Sequence, residues 1–309
     1  IFRLATDGSS YEVLWMFNGF VDTADGVGPQ AGLTLGPGGL FYGTTHYGGL
    51  KDTGTVFKFD PVGLGLTVIH SFSGLSPDGG VPLGALTLGS DGLLWSTTFT
   101  ATNGGDPTYY GTVFKISPTS PYAITSYGFA GLANQEYYSM PEAGLIQASD
   151  GNYYGTTGNG AFYSITESGV FSELGAYPTT LATTAPIAIP LQGSSGDIYT
   201  TTSDGGPTSF DLSDIGAIYA YSAGLAKPKP VVSWFLPTNA PVGASVVIAG
   251  ANFVKTSKVI FKGTTSTAKF TVNASGFITA VVPAGAVTGP VKITTPAGRV
   301  TSSVIFTVP

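Results

Sequence analysis

Cysteine is absent from the 309 residues, and with it go disulfides, thiol nucleophiles and cysteine-ligated metals. Charge is scarce as well: aspartate, glutamate, lysine and arginine make up 10% of the chain, against about 25% in a typical soluble protein. Histidine occurs twice, at His46 and His70, with no third ligand nearby in sequence, so neither a metal centre nor a catalytic histidine pair is expected. No apolar run approaches 18 residues, which predicts no membrane span. A signal peptide is not recognisable at Ile1, so an exported chain would carry it cleaved or left out. Nucleophile-elbow, P-loop and dinucleotide motifs are missing, because the glycines precede strands rather than helix N-termini.

Acids are missing from one end. All 18 lie at or before Asp214, opposed there by Arg3, Lys51, Lys58 and Lys115, a balance of −14. From Ile215 onward eight bases stand alone, a balance of +8. An asymmetry of this size marks a domain boundary and suggests partners. The bases are few and dispersed and lack an interleaved stacking platform, so nucleic acid is not expected.

What the chain has in quantity is glycine, 45 residues, and a repeat. The segments FYGTT (Phe41 to Thr45), LWSTT (Leu94 to Thr98), YYGTT (Tyr153 to Thr157) and IYTTT (Ile198 to Thr202) each precede a glycine-led strand: GTVFKF at Gly54, GTVFKI at Gly111, GAFYSI at Gly160 and GAIYAY at Gly216. An apolar strand comes before each pair and another after each of the first three, all rich in β-branched and aromatic residues and bounded by turn formers. IFRL and YEVLWMF open the chain as copies of the third and fourth strands, giving seventeen strands in all. Four strands per period of roughly 40 to 50 residues is the pattern of a β-propeller blade, since one such sheet cannot bury both faces alone. The expected fold is therefore all-β: a propeller of four or five four-stranded blades over 1–225, a Pro-rich linker at 226–230, and seven short strands over 231–309 whose spacing predicts an Ig-like β-sandwich.

The GTT and GTVFK copies resemble the GloVer-type tandem repeat of secreted bacterial proteins, over about residues 1–223. The match is good at Phe41 to Asp60 and Leu94 to Ile116 and weaker where Lys58 and Lys115 become Ser164 and Ala220. That resemblance implies export to the extracellular space or cell surface and a propeller-like fold, and no defined catalytic activity. PTNAPVGASVVIAGANF, KVIFKGTTSTAKF and FITAVVPAGAVTGPVKITTPAGRVTSSVIFTV resemble an IPT/TIG domain, which implies a spacer or an accessory carbohydrate-binding or adhesion module.

In an antiparallel blade, the loops joining strands two and three and those leading to the next blade emerge on one face. Ten of the 18 acids fall there, together with aromatics. Carboxylates that accept hydroxyl hydrogen bonds beside flat rings suit a sugar, so the expected ligand-binding residues are Tyr47, Asp52, Asp106, Tyr109, Tyr110, Glu136, Tyr137, Asp211 and Asp214. Asp204, Asp211 and Asp214 form the densest acidic cluster and could hold calcium through oxygen, although no calcium-loop spacing is present. The leading expectation is a non-catalytic binding or adhesion protein for polysaccharide or cell-surface glycan, with no cofactor beyond that possible calcium. Two alternatives stand beside it. One is a self-assembling extracellular protein, joined head to tail by acidic and basic domains. The other is a glycoside hydrolase or lyase with paired carboxylates.

Overall fold

A computed structural model describes residues 1–5, 7–17, 24–101, 110–129, 140–158, 160–176, 186–203, 216–274 and 276–309. Among these the sole helical turn is 3-10, at Pro37–Gly39, and the rest of the regular structure is strand. The chain divides into two compact units, residues 1–191 with 198–221 and residues 192–197 with 222–309.

The first unit opens with a hairpin, β1 (Phe2–Leu4) and β2 (Tyr11–Val13). Three complete sheets of four follow. The first is β3 (Thr34–Leu35), β4 (Phe41–Thr45), β5 (Thr55–Asp60) and β6 (Gly65–Ser71). The second is β7 (Thr87–Leu88), β8 (Leu94–Thr98), β9 (Thr112–Ile116) and β10 (Ile124–Gly128). The third is β11 (Ile146–Gln147), β12 (Tyr153–Thr156), β13 (Ala161–Ile165) and β14 (Phe171–Ala176). A three-stranded sheet, β15 (Leu191–Gln192), β16 (Ile198–Thr201) and β17 (Ile218–Tyr221), ends the series. Each sheet is a simple antiparallel meander in chain order. This is a β-propeller-like repeat, with the seventeen strands distributed as the sequence pattern predicts. Among the described residues the first and last sheets do not pair with each other, so the series is not closed by strand pairing.

The two threonines of each repeat have separate jobs. The second closes its own blade: the hydroxyls of Thr45, Thr98, Thr157 and Thr202 accept from the backbone N–H of Thr55, Thr112, Ala161 and Ala217 at 3.1–3.2 Å. The first ties its blade to the next. Thr44 donates to the Gly84 carbonyl at 3.1 Å and Thr97 to the Ala143 carbonyl at 2.8 Å.

Two further ties repeat at the same junctions. Thr34 and Thr87 donate to the Leu86 and Leu145 carbonyls, and Lys58 and Lys115 reach the Tyr122 hydroxyl and the Glu167 carbonyl. Between the ties lie apolar clusters. Tyr42, Val56 and Phe72 meet Leu86, Leu94, Phe114 and Ile116 at the first junction, and Trp95, Val113 and Phe129 meet Leu145, Tyr153, Tyr163 and Ile165 at the second. An edge-on aromatic pair recurs as well: Phe72 on Phe114 and Phe129 on Tyr163, with centroids 5.1 and 5.0 Å apart. Phe17 on Phe57, at 5.3 Å, extends that series to the β1–β2 hairpin. The sheets also approach closely near their inner strands, where a Cβ on Gly84 would lie 2.3 Å from the Gly144 nitrogen.

Among the described residues the junction to the last sheet lacks these side-chain hydrogen bonds. Ile146 stands where Thr34 and Thr87 donate, Ser164 stands where the lysines reach across, and the Thr156 hydroxyl is buried without a partner. Ile189 takes the place of Gly144.

The second unit consists of two sheets. One runs β18 (Val231–Leu236), β19 (Ser245–Ala251), β22 (Phe277–Val281) and β21 (Phe270–Ala274); the other runs β20 (Lys258–Phe261), β23 (Val291–Thr295) and β24 (Gly298–Thr301). Both contribute to one cluster around Phe235, Ile248, Phe253, Phe261, Ile293 and Phe306. The expected seventh strand, SVIFTV, is replaced by Gly298–Thr301. The tight turn after Thr295 folds those residues back onto β23. Phe306 is left to enter the core, held by one backbone bridge to Gly289.

Candidate functional site

The loop classes sorted to one face are joined there by backbone bonds. Val27 bridges Tyr47, Gly80 bridges Thr100, and the Gly158 N–H donates to the Met140 carbonyl. Each bond links the connection entering a blade with the loop between that blade's second and third strands. Of the sequence-predicted residues, Tyr47, Asp52 and Tyr110 can be placed. Asp106, Tyr109, Glu136, Tyr137, Asp204, Asp211 and Asp214 lie outside the described residues. Among the described residues no three metal-ligating side chains gather.

Tyr47 is exposed, 46% of its surface open, and held from behind by its backbone pairing with Val27. Its ring stacks on His46, with centroids 3.9 Å apart and planes 13° from parallel. The Gln30 amide nitrogen lies 2.9 Å from His46 Nδ1. An amide nitrogen only donates, so Nδ1 is the acceptor and the imidazole proton sits on Nε2. Burial pushes the His46 pKa down, which favours this neutral form. The result is an uncharged stacked ring pair whose tyrosine is exposed. His46 was set aside in sequence because it lacked metal partners. Its signal was that Phe99, Gly158 and Ser203 fill the matching positions, so the first copy alone presents this ring pair.

The neighbouring acids are engaged by their own surroundings. Asp52, at φ 57°, accepts from the Gly48 N–H at 2.8 Å and closes its own loop. Tyr110 is half-buried against the second apolar cluster. Asp78 lies 2.8 Å from His70 Nε2 and accepts from the Ser73 N–H at 2.7 Å. His70 also lines an open cleft of about 460 Å³ with Gly49, Leu50 and Ser71, beside the loop that carries Tyr47.

Burial of Asp78 works to raise its pKa, but the hydrogen bond and charge of His70 and the bonds from Ser73 outweigh it, and the carboxyl lies below its usual range. The folded state then binds this proton more weakly than the unfolded chain. Asp78 therefore contributes stability that is complete above about pH 4, the ordinary carboxylate range, and is lost as pH falls through the lowered folded value. Acid unfolding monitored by circular dichroism should show a shallower loss below pH 4 for Asp78→Asn than for the parent. An unchanged acid slope would contradict the assignment.

The carboxyls of Asp7, Asp60, Asp78 and Asp197 all shift down and stay ionised at neutral pH. A group that protonates a glycosidic oxygen needs the opposite shift. These residues suit accepting hydrogen bonds rather than delivering protons.

A run of four-stranded blades tied face to face, with its loops gathered on one side, defines a β-propeller-like repeat protein. The chain belongs to the Gloeobacter/Verrucomicrobia repeat family, whose model matches residues 1–161. Among curated proteins no relative matches the sequence. Among solved structures, a fragment described as domains CD is 34% identical over 26% of this chain, with a TM-score of 0.24, and the match spans 33% of that fragment. A streptogramin B lyase is 17% identical over 86% of this chain and 76% of its own, with a TM-score of 0.38. A luciferin-regenerating enzyme is 14% identical over 74% and 72%, with a TM-score of 0.46. None of these likenesses bears on a substrate for this chain. Among the described residues no helix is long and apolar enough to cross a membrane.

Proposed function

We propose that this chain is an exported, non-catalytic binding protein that holds polysaccharide on the loop face of its repeat unit. The observation that carries this reading is the exposed His46–Tyr47 ring stack, fixed by the Val27 bridge and the Gln30 amide. A flat, neutral, pre-ordered shelf covers the C–H face of a sugar ring at little entropic cost, and the phenol and imidazole N–H offer hydrogen bonds at its rim. The second unit fits an Ig-like module of the IPT/TIG kind that serves as spacer or accessory contact, and its eight bases are all exposed. Incubation with a panel of neutral and acidic polysaccharides tests the proposal. Retention of at least one polymer, with no release of reducing or unsaturated ends, is expected. Steady release of new chain ends would replace binding with catalysis.

A further inference from the structure

Successive residues of a strand point to opposite sides of its sheet. In the three-stranded sheet of the second unit, Val259, Phe261, Val291, Ile293 and Val300 turn inward to the apolar cluster. The residues between them form the outer face: Lys258 and Ile260 on β20, Lys292 and Thr294 on β23, Arg299 and Thr301 on β24. Lys262 follows β20 directly, and its stem lies so close to Gly289 that a Cβ there would collide with it. All four bases are exposed.

The register sets their spacing. Lys258 and Arg299 both lie opposite Thr294, and Lys292 lies between Ile260 and Thr301. No base directly faces another, yet Lys292 is the diagonal neighbour of both Lys258 and Arg299, a separation of about 7–8 Å. No acid relieves this density. The unit's one acid, Asp197, accepts from the Ser222 hydroxyl at 2.8 Å. Among the described residues none of the four bases forms an ion pair. Lys262 and Lys292 share an open cleft of about 370 Å³, lined also by Ile260, Thr264 and Pro290.

We infer that this sheet face is a second binding surface, and that its occupant is an acidic polysaccharide whose sugar rings carry carboxylates or sulfate esters. Charge complementarity supplies the attraction, since a solvated face ordinarily intersperses both signs and this one has cations alone. A polyanion lying across the face releases its counterions and shields the four bases from one another. Ile260 and the lysine stems offer apolar area to sugar C–H groups, and the threonine hydroxyls between the bases offer hydrogen bonds. Nucleic acid fits less well. The face has no aromatic residue on which a base could stack, and three strands abreast exceed the two-stranded ribbon that a major groove admits. The acidic repeat unit of another copy also fits less well, because carboxylates described there, among them Asp60, Asp91 and Asp150, accept bonds from their own loops. The inference stands independently of the His46–Tyr47 reading.

Binding of the whole chain to immobilised dextran sulfate and polygalacturonate tests it, with unsulfated dextran and DNA as comparisons. At least one acidic polymer is expected to bind, with an affinity that falls steeply as salt rises. Lys292→Gln should weaken that binding about two- to fivefold, the range for one exposed charge contact, and flatten its salt dependence. Lys292→Arg should restore it. Lys269→Gln removes the same charge from an exposed position beside the other sheet and should bind as the parent does. Tyr47→Ala should also match the parent here, so failure of the ring-stack reading and failure of this one appear in different variants. The inference is overturned if neither acidic polymer binds, if unsulfated dextran or DNA binds as tightly as the better of them, or if Lys269→Gln and Lys292→Gln lose equally.

Discussion

Replacing Trp95 by alanine should destabilise the repeat unit by about 3–5 kcal/mol, the range for deleting a large buried aromatic. Trp95 is fully buried where the second and third blades meet. Its ring stacks on Tyr153 at 4.1 Å, Lys115 lies 4.9 Å over its face, and its indole N–H donates to Asp91 at 3.1 Å. Alanine would remove apolar area from both blades and leave a cavity that two rigid sheets cannot close. In a unit of this size the loss corresponds to a fall in Tm of roughly 6–20 °C. Trp95→Phe keeps a ring for Tyr153 and forfeits the bond to Asp91, so its loss should be clearly smaller. If both variants melted within a degree of the parent, the blade junction would not be the core described above.

The second large effect belongs to the other unit. Phe261 is fully buried, with Phe306 edge-on at 5.5 Å and Phe306 in turn 5.3 Å from Phe235. Phe261→Ala breaks this aromatic chain between the two sheets and should also cost about 3–5 kcal/mol. Against a domain stability of roughly 5–15 kcal/mol, that takes about a fifth or more of what holds so small a unit folded. Calorimetry should show one transition moved and the transition of the repeat unit in place. Movement of both by equal amounts would contradict the division into two compact units.

How much of this was legible in the sequence depended on where each residue's partner lay. The second threonine of each pair bonds to a strand within its own repeat, so recurrence alone exposes the four-stranded unit. Thr44, by contrast, spends its hydroxyl on Gly84, forty residues away in the next blade, and no local pattern reveals that. The seventh strand of the second unit was misplaced because SVIFTV and GRVT are both extended, and only the turn after Thr295 decides which of them pairs with β23. At the candidate site, counting loops places Tyr47, Asp52 and Asp78 among the same loop classes. It does not say that Asp52 closes its own loop, that Asp78 holds His70, or that His46 lies flat beneath Tyr47. Those outcomes turn on which N–H or ring each side chain meets, a matter of ångströms that residue spacing does not encode.

The most direct test of the binding account is affinity electrophoresis of the parent and Tyr47→Ala in gels containing the polysaccharide that the parent retains. Removing one stacking ring should weaken retardation about tenfold, the equivalent of roughly 1.4 kcal/mol. Val62→Ala, an exposed apolar residue elsewhere on the same unit, should migrate as the parent does. Equal retardation of Tyr47→Ala and the parent would contradict the account and place the ligand, if there is one, away from the His46–Tyr47 shelf.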